Sequence, residues 1–149
     1  MSSSACAALQ GLSALIQPPH FEQDDQQRSS IRLNGTSGAA VRLWTRVSNP
    51  NGFGLTLGTL RGTLHLEGSR AATVDFPLGL PLQAHGEEVV PIDFSVDFRD
   101  LPALGQTIAR AIARQPIQYE LEGTIGVSAG RLGEQTLGPM TFLRGELTR

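Results

Sequence analysis

Val41-Arg-Leu-Trp-Thr-Arg-Val-Ser-Asn-Pro50, continued through Asn51-Gly52 into Phe53-Gly-Leu-Thr-Leu-Gly-Thr-Leu-Arg-Gly-Thr-Leu-His-Leu-Glu-Gly68, decides the fold. Val41, Leu43 and Val47 alternate with Arg42, Trp44, Arg46 and Ser48. This two-residue period puts apolar side chains on one face of a strand and polar ones on the other. Asn49-Pro50-Asn51-Gly52 stops the run, because proline fixes φ and lacks an N–H while asparagine and glycine tolerate turn geometry. In the leucine-rich run that follows, the apolar positions are odd at Leu55 and Leu57 and even at Leu60, Leu64 and Leu66. Strict alternation cannot change parity without an extra residue, so a β-bulge is predicted near Gly58-Thr59.

Outward from this stretch the strand patterning persists. Gly68-Ser69-Arg70 reads as a hairpin turn into Ala72, Val74 and Phe76, after which Pro77 and Pro81 exclude Leu78 to Leu82 from a central strand and make it an edge or a loop. Ile92, Phe94, Val96 and Phe98 face inward on the next strand. Asp100 suits an N-cap and Pro102 a first helical turn. Leu101, Leu104, Ile108 and Ile112 recur at helical spacing until Pro116, predicting one helix over 101–114. Ile117, Tyr119, Leu121, Ile125 and Val127 form another half-buried strand, and a glycine-rich hairpin over 129–138 leads to a last strand over 139–147. The fold class is mainly β: an antiparallel sandwich of about six to eight strands with one α-helix.

Composition narrows the function. A chain of 149 residues with 17 glycines and 9 prolines fits one domain of short strands and turns. The net charge is −2, every basic residue is arginine, and no basic run occurs. This argues against nucleic acid, whose binding relies on neutralising many phosphates. The absence of lysine removes Schiff-base chemistry. The single cysteine, Cys6, excludes an internal disulfide and a multi-cysteine zinc site. No apolar run approaches the roughly 20 residues that span a bilayer, so a soluble chain is expected.

The segment Val41 to Val47, the Asn49-Pro50-Asn51 turn and the strand Leu55 to Gly68 together resemble the water-stress-and-hypersensitive-response (WHy) domain. These are the folded, group 2 late embryogenesis abundant proteins, here of bacterial type. Phe76 to Leu82, Val89-Val90-Pro91-Ile92, Asp100-Leu101-Pro102 and Tyr119 to Ile125 follow in the order such domains show, so the resemblance covers about residues 20 to 148. It implies an immunoglobulin- or fibronectin-III-like sandwich with a helix between two late strands. It also implies a protein that limits damage to others during desiccation, freezing or osmotic stress.

Catalytic constellations are missing from the sequence. His20, His65 and His85 are too dispersed for a paired metal motif and read as solvated surface residues. Asp93 and Asp97 share a strand face about 13 Å apart, too far for a glycosidase pair, and read as solvation. There is no nucleophile elbow, phosphate loop or zinc-protease motif. No enzyme activity, cofactor or metal is expected. Trp44 shares the polar parity with Arg42 and Arg46. It reads either as a contact patch or, with more weight, as a ring stacked under a guanidinium. Asn49, Pro50 and Asn51 read as a structural Asx-type turn setting hairpin register.

The expected action is passive, ATP-independent holding of partly unfolded client proteins, by mass action, on an apolar surface of Leu78, Leu80 and Leu82 with Trp44. The alternative is a non-catalytic envelope module that binds one protein or lipid partner. Residues 1–19 read as a flexible N-terminal linker and 20–149 as the domain. Ser4-Ala5-Cys6-Ala7 partly matches a lipoprotein signal, and two readings stand: a remnant whose Cys6 carries lipid and tethers the protein in the envelope or periplasm, or an ordinary terminus of a cytoplasmic protein. A monomer is expected.

Overall fold

Residues 16–35, 37–98 and 105–148 are described by the structure, a computed structural model. Their eight strands are β1 (His20–Gln23), β2 (Ser30–Asn34), β3 (Gly38–Ser48), β4 (Leu55–Leu66), β5 (Ser69–Leu82), β6 (Glu87–Asp97), β7 (Ile117–Ser128) and β8 (Glu134–Leu147), with one helix, α1 (Gly105–Ile112). They form two antiparallel sheets. In the first, β6 pairs with β3 along residues 38–48, while β1 and β2 pair with opposite ends of β3. Since a strand has only two edges, β1 and β2 lie in tandem on the edge that β6 leaves free. The second sheet has the order β5-β4-β7-β8.

The alternation read from the sequence becomes the core. Val41, Leu43 and Val47 from β3, Leu57, Leu60, Leu64 and Leu66 from β4, Ile92, Phe94 and Val96 from β6, and Tyr119, Leu121, Ile125 and Val127 from β7 are all buried. The predicted bulge is present as a register shift between Leu57 and Thr59. Pairing resumes with the other parity facing in, so the leucines on both sides of Gly58 reach the same core. The β4–β5 turn is Glu67-Gly68, one residue ahead of the predicted position, with φ of 51° and 80°. Positive φ at both central residues matches the right-handed strand twist.

Three expectations shift and one pair of alternatives is resolved. The turn at Asn49-Pro50-Asn51 does not close a hairpin: β3 and β4 belong to different sheets, so it is a corner between layers. Of the two readings of Leu78 to Leu82, edge or loop, the structure has the edge: the run is the end of β5, an edge strand paired with β4, where its prolines are tolerated. The last strand begins at Glu134 rather than 139, since Gln135, Thr136 and Leu137 already pair with β7. Among the described residues the helix covers Gly105–Ile112, so it stops two residues before the expected end at 114. Asp100, Leu101, Pro102 and Leu104 lie outside the described residues.

The helix ends ahead of Pro116 by a chain reversal in which Gln115 N–H donates to Arg110 O and Arg114 N–H to Ala111 O, with Arg114 at φ 58°. Its buried face is Thr107 and Ala111 with Ile108 half-buried, whereas Ile112 is 61% exposed. The apolar stripe of the sequence is therefore rotated off the packed face at its last member.

At the centre of the second sheet Gly62 pairs with Gly123, and a Cβ on either would collide with the partner strand's backbone, at Glu122 O or Arg61 O. Gly62→Ala is expected to destabilise by about 3 kcal/mol in chemical denaturation, because backbone cannot be repacked around a methyl group. Gly126→Ala, whose new Cβ meets nothing nearer than 3.8 Å, serves as the control and should change stability little.

Candidate functional site

A chain crossing between two sheets leaves both ladders, and its peptide groups need partners elsewhere. Two crossings, β3 to β4 and β5 to β6, meet at one end of the sandwich. Asn49 and Asn51 fasten them together, and both are buried. Asn49 Nδ2 donates to Phe53 O at 2.8 Å and to Gln83 O at 3.0 Å, while its Oδ1 accepts the Asn51 N–H at 3.0 Å and Asn51 Nδ2 at 2.9 Å. Asn49 N–H donates to Gly86 O and His85 N–H to Asn51 O. The Asx turn is present as the sequence suggests, but its amide reaches from its own corner to the neighbouring one.

Asn51 extends this clip to the N-terminal segment. Its Oδ1 accepts the Gln17 N–H at 2.8 Å and its Nδ2 donates to Gln17 O at 2.9 Å, so the side-chain amide pairs with a main-chain residue as a neighbouring strand would. Ile16, just before, is 2% exposed within the core. Ile16 and Gln17, within the stretch read as a linker, thus pack onto the sandwich. With every side-chain donor and acceptor of Asn49 engaged by protein, this is a fastening rather than a ligand site. Pro50 needs no partner for a missing N–H at the corner.

The outer face of the first sheet carries the arginines. Arg42 forms a two-point ion pair with Asp93 at 2.8 and 3.1 Å and lies 5.8 Å from the centre of the half-buried Trp44 ring. Asp93 is thus ion-paired, not merely solvated, and its carboxylate raises the Arg42 pKa through that hydrogen bond. Arg46 reaches Asp24 at 2.8 Å, Asp25 at 2.7 Å and Glu87 at 3.2 Å. Its hydrogen bond holds the Asp25 carboxyl below the usual range. Asp24 and Ser29 are buried members of this cluster that sequence reasoning missed. Where the 24–29 loop leaves the β3 edge, Asp24 N–H donates to Trp44 O and Ser29 Oγ accepts the Trp44 N–H, filling the gap between β1 and β2.

The remaining expected residues are dispersed. Leu78 and Leu80 are half-buried against the core, and Leu82 is 2% exposed, so only the first two reach solvent. His65 contacts Glu122 at 3.1 Å on the second sheet, His85 sits at the clip and His20 begins β1. Among the described residues no group of three or more His, Cys, Asp or Glu is placed to hold a metal ion, and no helix is long and apolar enough to cross a membrane. Cys6 lies outside the described residues. An open groove of about 540 Å³ runs over the second sheet where Gly58, Thr59, Thr124, Gly126 and Thr136 leave the surface low; Arg61 is the cation that borders it.

Tyr119, the only tyrosine, is buried beneath β1, where its hydroxyl donates to Gln23 Oε1 at 3.0 Å. Burial pushes its phenol up to about 12, opposed in part by a hydrogen bond with Ser29. A phenol that titrates near 10 when unfolded and near 12 when folded contributes stability below pH 10 that is lost as pH rises through that window. The phenolate absorbance of the folded protein should therefore titrate above pH 11, and Tyr119→Phe should flatten the fall of stability between pH 10 and 12. Asn49→Ala, which strands the carbonyls of Phe53 and Gln83, is expected to cost roughly 3 kcal/mol by denaturant titration. Asn49→Asp should not rescue it, because a carboxylate has no N–H to offer them.

The sequence profile of the family described as "Late embryogenesis abundant protein" matches residues 45–140. No curated protein matches. Among solved structures, the fold is similar to the solution structure of AT1g01470 from Arabidopsis thaliana (TM-score 0.66, 19% identity, covering 90% of this chain and 83% of that one). It is also similar to At2g46140.1, described as a late embryogenesis abundant (LEA) protein (0.59, 16%, 99% and 86%). A crystal structure of a protein from Archaeoglobus fulgidus shares the fold at TM-score 0.52 and 9% identity, covering 90% of this chain and 97% of that one. Since the family profile spans residues 45–140, well over half the sequence, this chain belongs to the late embryogenesis abundant protein family.

Proposed function

We propose that the protein is a WHy-type stress protectant that acts without catalysis or ATP, shielding partly unfolded client proteins during drying, freezing or osmotic stress. Family membership is the observation that carries this reading. The surface is compatible with it: Leu78 and Leu80 present half-buried apolar side chains on the β5 edge strand, and the first sheet carries a separate face of paired arginines and carboxylates. A surface of that kind makes weak contacts with many exposed apolar segments. By mass action it lowers the free pool of aggregating chains without refolding them.

Drying or freeze–thaw of a labile enzyme tests this. The purified protein should preserve more activity than an equal mass of albumin, and the double variant Leu78→Asp, Leu80→Asp should lose much of that margin while remaining folded by circular dichroism. Protection no better than albumin sinks the function; full protection by the variant removes the β5 surface from it.

A further inference from the structure

We infer that residues 16–23 form a detachable strap occupying the site at which an extended, apolar segment of an unfolded polypeptide binds. The inference rests on the holding function proposed above and names its binding surface. Within the strap, Ile16 fills a place in the core, Gln17 pairs through both main-chain groups with the Asn51 amide, Pro18 and Pro19 offer no donors, and His20 to Gln23 add to β3 opposite Ser48 to Thr45. Phe21 packs edge-on against Phe142 with ring centres 4.9 Å apart. Gln23 lies over Gly145, where a Cβ would collide with its side-chain oxygen, and accepts from the Tyr119 hydroxyl.

Most of these contacts do not read the identity of the strap. The Asn51 amide and the β3 edge bind main chain, which every polypeptide presents, and the Ile16 and Phe21 places ask only for apolar side chains five residues apart. The pairing of residues 20–23 with β3 is strand addition, a recurring mode of peptide recognition. The strap is also built to part from the domain as a unit. It is a four-residue strand paired along one edge. It ends at Asp24, which stays anchored by Arg46 at 2.8 Å, by the bond from Gln27 N–H and by its own N–H to Trp44 O. Its hold is confined to one sheet edge, the Asn51 amide and the places of Ile16 and Phe21, so it can open locally without breaking the pairing of β3 with β6 or of the second sheet. When the strap opens, it exposes the β3 edge, the Asn51 amide and the Ile16 and Phe21 places together.

Locking the strap tests this on the full chain. In a Cys6→Ser background, His20→Cys with Ser48→Cys places thiols on directly opposed residues of an antiparallel pair, within the span a disulfide bridges. The probe is a fluorescent synthetic peptide of residues 16–25, with a version carrying aspartate at both apolar places as control. The reduced protein should capture the peptide but not the control. Oxidation should abolish capture and, in the drying assay, protection, and reductant should restore both. Ile16→Ala, which loosens the strap without a cross-link, should capture more peptide than the wild type. Equal capture by oxidised and reduced protein overturns the inference, as does an Ile16→Ala variant that loses stability without gaining capture, or a strap-swapped dimer formed in place of peptide binding. Lock-dependent capture by a protein that gives no protection leaves the strap standing and removes the protective function instead.

Discussion

The structure depends on one constraint: peptide groups that leave a sheet at a buried corner must find partners there. Two such corners lie side by side, and a single asparagine, Asn49, supplies both donors and both acceptor sites of its amide to hold them. Asparagine is suited to this because it carries donor and acceptor on one short, neutral side chain. Aspartate lacks the donors, and glutamine is a methylene longer. Pro50 removes the one N–H at the corner that would otherwise need its own partner. The relative placement of the two layers, and so the closure of the core between them, follows from this fastening.

Asn51 carries the same logic outward. By imitating a peptide group it binds the N-terminal segment as though it were a strand, and it lets Ile16 complete the core from outside the two ladders. Packing onto the sandwich therefore begins ahead of the first strand. One end of the sandwich gathers the two inter-sheet corners and the incoming chain, while the β4–β5 hairpin turn at Glu67-Gly68 lies at the far end of β4. The proposed strap docks at this end, on the Asn51 amide.

The charged face of the first sheet is largely self-satisfied. Arg42 is shared between Asp93 and the Trp44 ring, and Arg46 gathers Asp24, Asp25 and Glu87. The exposed Arg42–Asp93 pair contributes modestly to stability, while Arg46 compensates the buried Asp24 carboxylate, and both keep the guanidinium groups in place.

The sequence by itself determined the layered β architecture. Each strand's alternation is a local property, and the core residues of β3, β4, β6 and β7 could be named from parity alone, as could the bulge after Leu57. It also determined the Asx turn, because that bond spans only two residues. Which strands pair was left to the tertiary structure: the period of two tells which face is buried but not which neighbour lies alongside, so Asn49-Pro50-Asn51 looked like a hairpin turn and is a corner between sheets. The same limit hid the buried roles of Asp24 and Ser29 in a polar stretch, the docking of Ile16 and Gln17, and the rotation of Ile112 out of the packed face. In each case the deciding partner is distant along the chain, Trp44 and Arg46 for the loop and Asn51 for the strap. Only the folded chain brings those hydrogen-bonding groups within reach of one another.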